Sequence, residues 1–136
     1  MSSAVIYTDL DGTLLDHHTY AFDEALESIK ALKDRGIPII PCTSKTRAET
    51  VSLMQAMDID GPMIIENGAA IWVPQDWGLE RPAGSDSDAD AWCHSFGSSR
   101  GMIRRRLAIL SIEWGNRYQS LSDLSDKQVA AVTGLD

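Results

Sequence analysis

The sequence predicts an α/β fold whose sheet is parallel and Rossmann-like, and three observations carry that prediction. Short apolar runs recur at residues 4–8, 36–42 and 63–65. Helical periodicity fills both intervals between them. Each run ends in a polar cluster, which is where a parallel sheet presents its ligand-binding edge. Strand and helix thus alternate as β-α-β-α-β over the first 73 residues, the pattern of crossover connections.

The elements follow in order. "AVIYT" (4–8) is apolar and β-branched, so it reads as a fully buried strand. Phe22, Ala25, Leu26, Ile29 and Leu32 recur at helical spacing and predict a helix over 22–35, with Gly36 as its C′ residue. "GIPIIPC" (36–42) is a second buried strand, its pairing made irregular by Pro38 and Pro41. Thr46 and Glu49 have capping-box spacing, which places a second helix over about 47–57. Met63–Ile65 is a third strand, "ENGAA" a loop and "IWV" (71–73) another strand. The composition changes at Pro74. Residues 74–101 are rich in Gly, Ser, Asp and Pro and read as loop or linker. Two helices follow. Ile103, Leu107, Leu110 and Trp114 share a face of the first; Ser125 and Gln128 cap the second, which ends near Gly134. The predicted organisation is an α/β part over residues 1–74, then a linker and a smaller part over 75–136.

Twelve basic and twenty acidic side chains among 136 residues give a net charge of −8. That balance argues against nucleic acid or an anionic membrane as the main partner. A phosphorylated small molecule stays open, because a metal or local donors can invert the local field. No segment nears the roughly 18 apolar residues of a membrane span. The start lacks the basic and apolar regions of a signal peptide. Cys42 and Cys93 have no metal-ligand or CxxC spacing. These features predict a cytoplasmic protein with reduced thiols.

The chemistry lies at the three strand ends, which carry Asp9-Leu10-Asp11-Gly12-Thr13, Thr43-Ser44-Lys45 and Glu66-Asn67-Gly68. Two carboxylates one residue apart at the end of an apolar strand repel each other unless something uses them. A carboxylate fixed there, Asp9, can attack phosphorus and form an aspartyl-phosphate. A divalent cation, Mg²⁺ above all, would offset its repulsion from the phosphate. Asp11 can then serve as general acid and base. Gly12 lets the backbone turn and approach a ligand. Thr43 or Ser44 can donate to phosphoryl oxygens, and the helix starting near Arg47 adds a positive dipole end. Lys45 is either an anion-holding group or a solvated lysine at a helix start. Arg47 and the Arg104-Arg105-Arg106 run have the same two readings, whereas Glu66 either orients its loop or approaches the metal, or is purely structural. His17, His18 and His94 show no ligand spacing, and the four tryptophans read as packing residues.

An apolar strand running into "DLDGT" resembles the first motif of the haloacid dehalogenase (HAD) superfamily of phosphohydrolases, and "IIPCTSKT" its second. With "IIENGAAI" and "LSDLSDKQVAAVTGLD", the sequence is similar to the mannosyl-3-phosphoglycerate phosphatase branch. The match spans most of the chain and is weakest over 74–101. The resemblance implies Asp9 as nucleophile and Mg²⁺ ligand, and Asp11 as acid/base and metal ligand through its backbone carbonyl. It implies Thr43 in the phosphoryl site, Asn67 and Gly68 facing substrate, and the start of an α+β cap from about residue 75. It also implies a downstream lysine and acidic metal motif, and neither occurs before Asp136. The expectation is therefore a truncated HAD-type phosphatase acting on a sugar phosphate or mannosyl-3-phosphoglycerate. The alternative is a catalytically incomplete remnant that binds or assembles. Homo-oligomerisation is expected as one way to cover the surface left by the missing half. A phospho-accepting receiver domain fits poorly, because its aspartate would end the third strand, where Glu66-Asn67 stands.

Overall fold

The computed structural model describes residues 4–87, 89–115 and 117–134. The chain divides into two compact units, Met1–Gly97 and Ser98–Asp136.

In the first unit, β1 (Ile6–Thr8) pairs in parallel with β2 (Ile39–Pro41), Ile6 opposite Ile39 and Thr8 opposite Pro41. Between them α1 (Leu26–Asp34) follows a 3₁₀ turn at Asp23–Ala25. Gly36, at φ 64°, ends it: its N–H bonds Lys33 O and that of Ile37 bonds Leu32 O, a Schellman closure. Ile29 is buried and Phe22, Ala25 and Leu32 pack on the core, whereas Leu26, expected on the same face, is exposed.

From β2 the chain enters α2 (Arg47–Ala56) through the predicted capping box. Glu49 Oε2 accepts from Thr46 N at 2.9 Å, and Thr50 and Met54 point into the core. β3 (Met63–Ile65) then joins β2 by a single parallel bridge, Cys42 to Ile64, with Thr43 N donating to Ile64 O at 3.0 Å. Pro41 explains why the bridge is not a ladder. Cys42 N donates to Thr8 O on the β1 side, so the alternate residues 41 and 43 face β3, and proline has no N–H to give.

After β3 the sheet turns antiparallel. β4 (Ala70–Pro74), β5 (Asp86–Ser87) and β6 (Ala91–Ser95) complete the order β3-β4-β6-β5. Residues 74–101 are thus not the loop or linker their composition suggests. The β6 strand runs the full length of β4, Ala70 opposite Ser95 and Pro74 opposite Ala91, and the division between units falls after Gly97 rather than at 74/75. Gly61 lies under the Trp77 ring so closely that a β-carbon would sit 2.7 Å from it.

The core is one cluster: Leu10, Leu15, Ile29, Ile39, Met54, Met57, Ile59, Met63, Ile65 and Ala70. β1 departs from expectation. Val5, Ile6 and Tyr7 are exposed, Tyr7 at 60%, and among the described residues β1 is paired along one edge only.

The second unit holds α3 (Arg100–Glu113), a 3₁₀ turn at Leu121–Asp123 and α4 (Asp126–Thr133). The Ser125–Gln128 capping box forms, and Gly134, at φ 71°, closes α4. Of the face predicted on α3, Leu107 is half-buried while Ile103, Leu110 and Trp114 are exposed. Arg104 pairs with Asp123 at 2.7 Å and Arg100 donates to Ser122 Oγ. No described helix is long and apolar enough to cross a membrane.

Candidate active site

The carboxyl ends of β1, β2 and β3 lie side by side, and a cleft of about 590 Å³ opens there. Asp9, Thr43, Ser44, Asn67 and Gly68 all line it, so five of the eight residues singled out from the sequence meet in one place. Tyr7, Thr8, Cys42 and Ile64 complete the lining. Asp11, Gly12 and Lys45 lie outside that lining. Gly12 borders a neighbouring cleft over residues 12–28.

The end of β1 presents Asp9 because Leu10 is anchored beneath it. Leu10 is completely buried, and its carbonyl accepts from Thr13 N and Leu15 N, folding 10–15 into a tight turn. Gly12 sits in that turn at φ 72°, and its N–H bonds Leu15 O. Asp9 is exposed, and its Oδ1 accepts from Leu10 N at 2.7 Å. That bond restrains the Asp9 carboxylate at the edge of the cleft.

Thr43 is buried to 3% exposure, and its Oγ1 accepts from Lys45 N at 3.2 Å, which leaves the hydroxyl proton available for an anion. The 43–45 segment is clamped from the β3 side, where Asn67 N donates to Thr43 O and Glu66 N to Lys45 O, both at 3.0 Å. Making those two bonds requires a sharp turn. Glu66, Asn67 and Gly68 are all left-handed, at φ 52°, 58° and 83°. Strain of this kind at two non-glycine residues is concentrated where the chain presents its ligand-facing backbone.

Lys45 is turned to Asp11 and does not line the cleft. Its Nζ lies 2.8 Å from Asp11 Oδ1, and that contact is the main cause holding the ammonium above its ordinary pKa. Burial, helped by the charge of Asp9, pushes the Cys42 thiol up. Cys42 is therefore held toward its neutral thiol form in the cleft. Spacing gave no sign of Cys42 or Tyr7 at the site; their places at the ends of β2 and β1 were the available signal. Arg47 stacks over Trp72 at 5.1 Å, and His94 Nδ1 lies 3.0 Å from Ser85 Oγ, both away from the cleft lining.

For a divalent cation the donor set is right in kind and short in number. Carboxylates suit Mg²⁺, yet the described residues bring no three His, Cys, Asp or Glu side chains together, and one oxygen of Asp11 is engaged by Lys45. Asp9 and the Asp11 backbone carbonyl are the donors this chain could offer.

The chain is 38% identical over 132 residues to the glucosyl-3-phosphoglycerate/mannosyl-3-phosphoglycerate phosphatase of Methanococcoides burtonii, covering 97% of this chain and 48% of that protein. It is 46% identical over 71 residues to the protein of the same name from Persephonella marina, 52% of this chain and 26% of that one. The chain thus spans half or less of the length of these relatives. Among solved structures, a HAD-superfamily phosphatase of Bacteroides thetaiotaomicron aligns with TM-score 0.59 at 19% identity, over 96% of this chain and 46% of that one. A haloacid dehalogenase-like hydrolase from B. subtilis aligns with TM-score 0.53 at 23% identity, over 80% and 33%. Those two likenesses concern the fold. Residues 6–82, more than half of the chain, match the haloacid dehalogenase-like hydrolase family, and the chain belongs to it.

Proposed function

We infer that this chain carries the nucleophile half of a phosphomonoester hydrolase site that acts on a sugar phosphate or on mannosyl-3-phosphoglycerate. The observation that carries the reading is the meeting of Asp9 with Thr43, Ser44, Asn67 and Gly68 in one cleft at three strand ends. An Asp9 carboxylate oxygen attacks phosphorus, the P–O bond to the substrate's ester oxygen breaks, and Asp11 gives its proton to the departing oxygen. Water then attacks the aspartyl-phosphate, Asp11 takes its proton, and inorganic phosphate leaves. Thr43 Oγ1–H stabilises the charge that develops on the phosphoryl oxygens. Mg²⁺ bound at Asp9 and the Asp11 carbonyl would neutralise charge between carboxylate and phosphate. The substrate class comes from the names of the relatives at 38% and 46% identity.

The short donor set, with no three His, Cys, Asp or Glu side chains together among the described residues, favours a second reading, in which this chain binds or assembles without turnover. One assay separates them: phosphate release from mannosyl-3-phosphoglycerate and from p-nitrophenyl phosphate with Mg²⁺, wild type against Asp9→Asn. Hydrolysis that falls about a thousandfold or more in Asp9→Asn supports the hydrolase. A folded wild type with no Asp9-dependent release overturns it.

A further inference from the structure

The Lys45 ammonium has two neighbours. One is Asp11 Oδ1 at 2.8 Å; the other is the ring of Tyr20, whose centroid is 5.3 Å away. Asp11 Oδ1 is buried, and the Lys45 ammonium 2.8 Å away is what offsets its burial. Lysine holds a charge on a flexible four-carbon stem and does not fix a carboxylate by itself. Here the stem is confined, since the Lys45 side chain is 17% exposed and an aromatic face closes over its end.

Tyr20 is placed there by a turn built for the purpose. Asp16 Oδ1 accepts from His18 N (3.0 Å), Thr19 N (2.8 Å) and Thr19 Oγ1 (2.8 Å). Tyr20 N donates to Asp16 O and Asp16 N to Ala21 O, which closes the loop. Tyr20 itself is left-handed at φ 56° and 58% exposed, and it is no part of the core cluster. Packing does not account for a tyrosine held in that conformation on the surface. Its contact with the Lys45 ammonium does.

We propose that Tyr20 is a positioning residue for the active site: its ring caps the Lys45 ammonium and thereby holds the Asp11 carboxylate in one orientation on the 9–13 turn. The proposal rests on the hydrolase reading for its consequence, the proton transfers at Asp11, while the clamp itself is a matter of geometry. Lys45 also ties two strand ends together. Its backbone N–H bonds Thr43 Oγ1 and its carbonyl accepts from Glu66, so Tyr20 sets Asp11 relative to the phosphoryl-facing segment.

The test uses the 136-residue chain with Tyr20→Leu, which removes the aromatic face, and Tyr20→Phe, which keeps it. Exposure of Tyr20 makes both variants compatible with folding. The first readout is the side-chain ammonium signal of Lys45 in ¹⁵N-lysine NMR spectra. It is expected to be protected from exchange in wild type and Tyr20→Phe and lost in Tyr20→Leu. The second is steady-state hydrolysis of p-nitrophenyl phosphate. Tyr20→Leu is expected to lower kcat about tenfold or more with KM within about twofold, and Tyr20→Phe to restore it. An unchanged ammonium signal in Tyr20→Leu, a Tyr20→Phe variant as impaired as Tyr20→Leu, or a lost signal with unchanged kcat each overturns the proposal. If wild type shows no Asp9-dependent turnover, the hydrolase reading falls, and the ammonium signal alone decides the clamp.

Discussion

Leu10 is fully buried while Asp9 is exposed and Asp11 half-exposed on either side of it. The alternation is what sets two carboxylates at the end of β1 on either side of a core anchor. An apolar side chain anchored in the core fixes the backbone from which both carboxylates project. Leu10→Ala leaves a cavity in the core cluster and is expected to destabilise the first unit by about 2–4 kcal/mol, read as a lower urea midpoint at unchanged slope. Much of this site is legible in one dimension. Asp9, Asp11, Gly12, Thr43 and Asn67 sit at or just past strand ends, and strand ends of a parallel sheet are neighbours by topology. Tyr20 is not legible. Nothing in its spacing reports the Asp16 turn that brings it back over Lys45, and a cation–π contact has no sequence period. The side-chain destination of Lys45 is hidden for a related reason. A residue facing a strand-end cluster can pair with any charge in it, and Asp11 is the nearer claim.

At the scale of elements, helix boundaries were readable because capping is local chemistry. Thr46 with Glu49, Ser125 with Gln128, and Gly36 each act within four residues, and all three form as expected. β6 was not readable, because its definition is a pairing with β4 across the 3₁₀ turn and β5, and "AWCHS" shows no clean alternation of its own. The burial of β1 was misjudged for the opposite reason. An apolar strand announces that it can be covered on both sides, not that it is. The α2 cap carries a pH prediction. Hydrogen bonds from Thr46 side chain and backbone hold Glu49 below its ordinary pKa. A group with a depressed folded pKa stabilises above its unfolded value, near 4.5, and loses that contribution as pH falls through the folded pKa. Glu49→Gln should therefore have a lower urea midpoint than wild type at pH 7. The gap should narrow steadily below pH 4.5, and a gap independent of pH would remove the charged cap as its cause.

Across the whole molecule, burial is unevenly shared. Every residue of the core cluster belongs to the first unit, and neither α3 nor α4 contains a buried residue. Helices of 14 and 8 residues are marginal in water without an apolar face covered by something else. On α3 and α4 that face is open: Ile109 is 66% exposed, Ile112 81% and Val132 71%. Two chain-scale outcomes follow, and they differ in their dependence on concentration. If the chain is monomeric, native-state hydrogen exchange should proceed in α3 and α4 at least about a hundredfold faster than in α1, α2 and β3, because local opening there loses almost no burial. If chains associate through these faces or through the open edge of β1, protection of α3 and α4, or of Ile6–Thr8, should rise with protein concentration while that of Ile29 and Met54 stays constant. Exchange measured by mass spectrometry at low and high micromolar chain concentration separates the two cases. Protection of α3 and α4 equal to that of the core at every concentration would refute the uneven stability argued here, since it would require an apolar contact within one chain that leaves Ile112 covered.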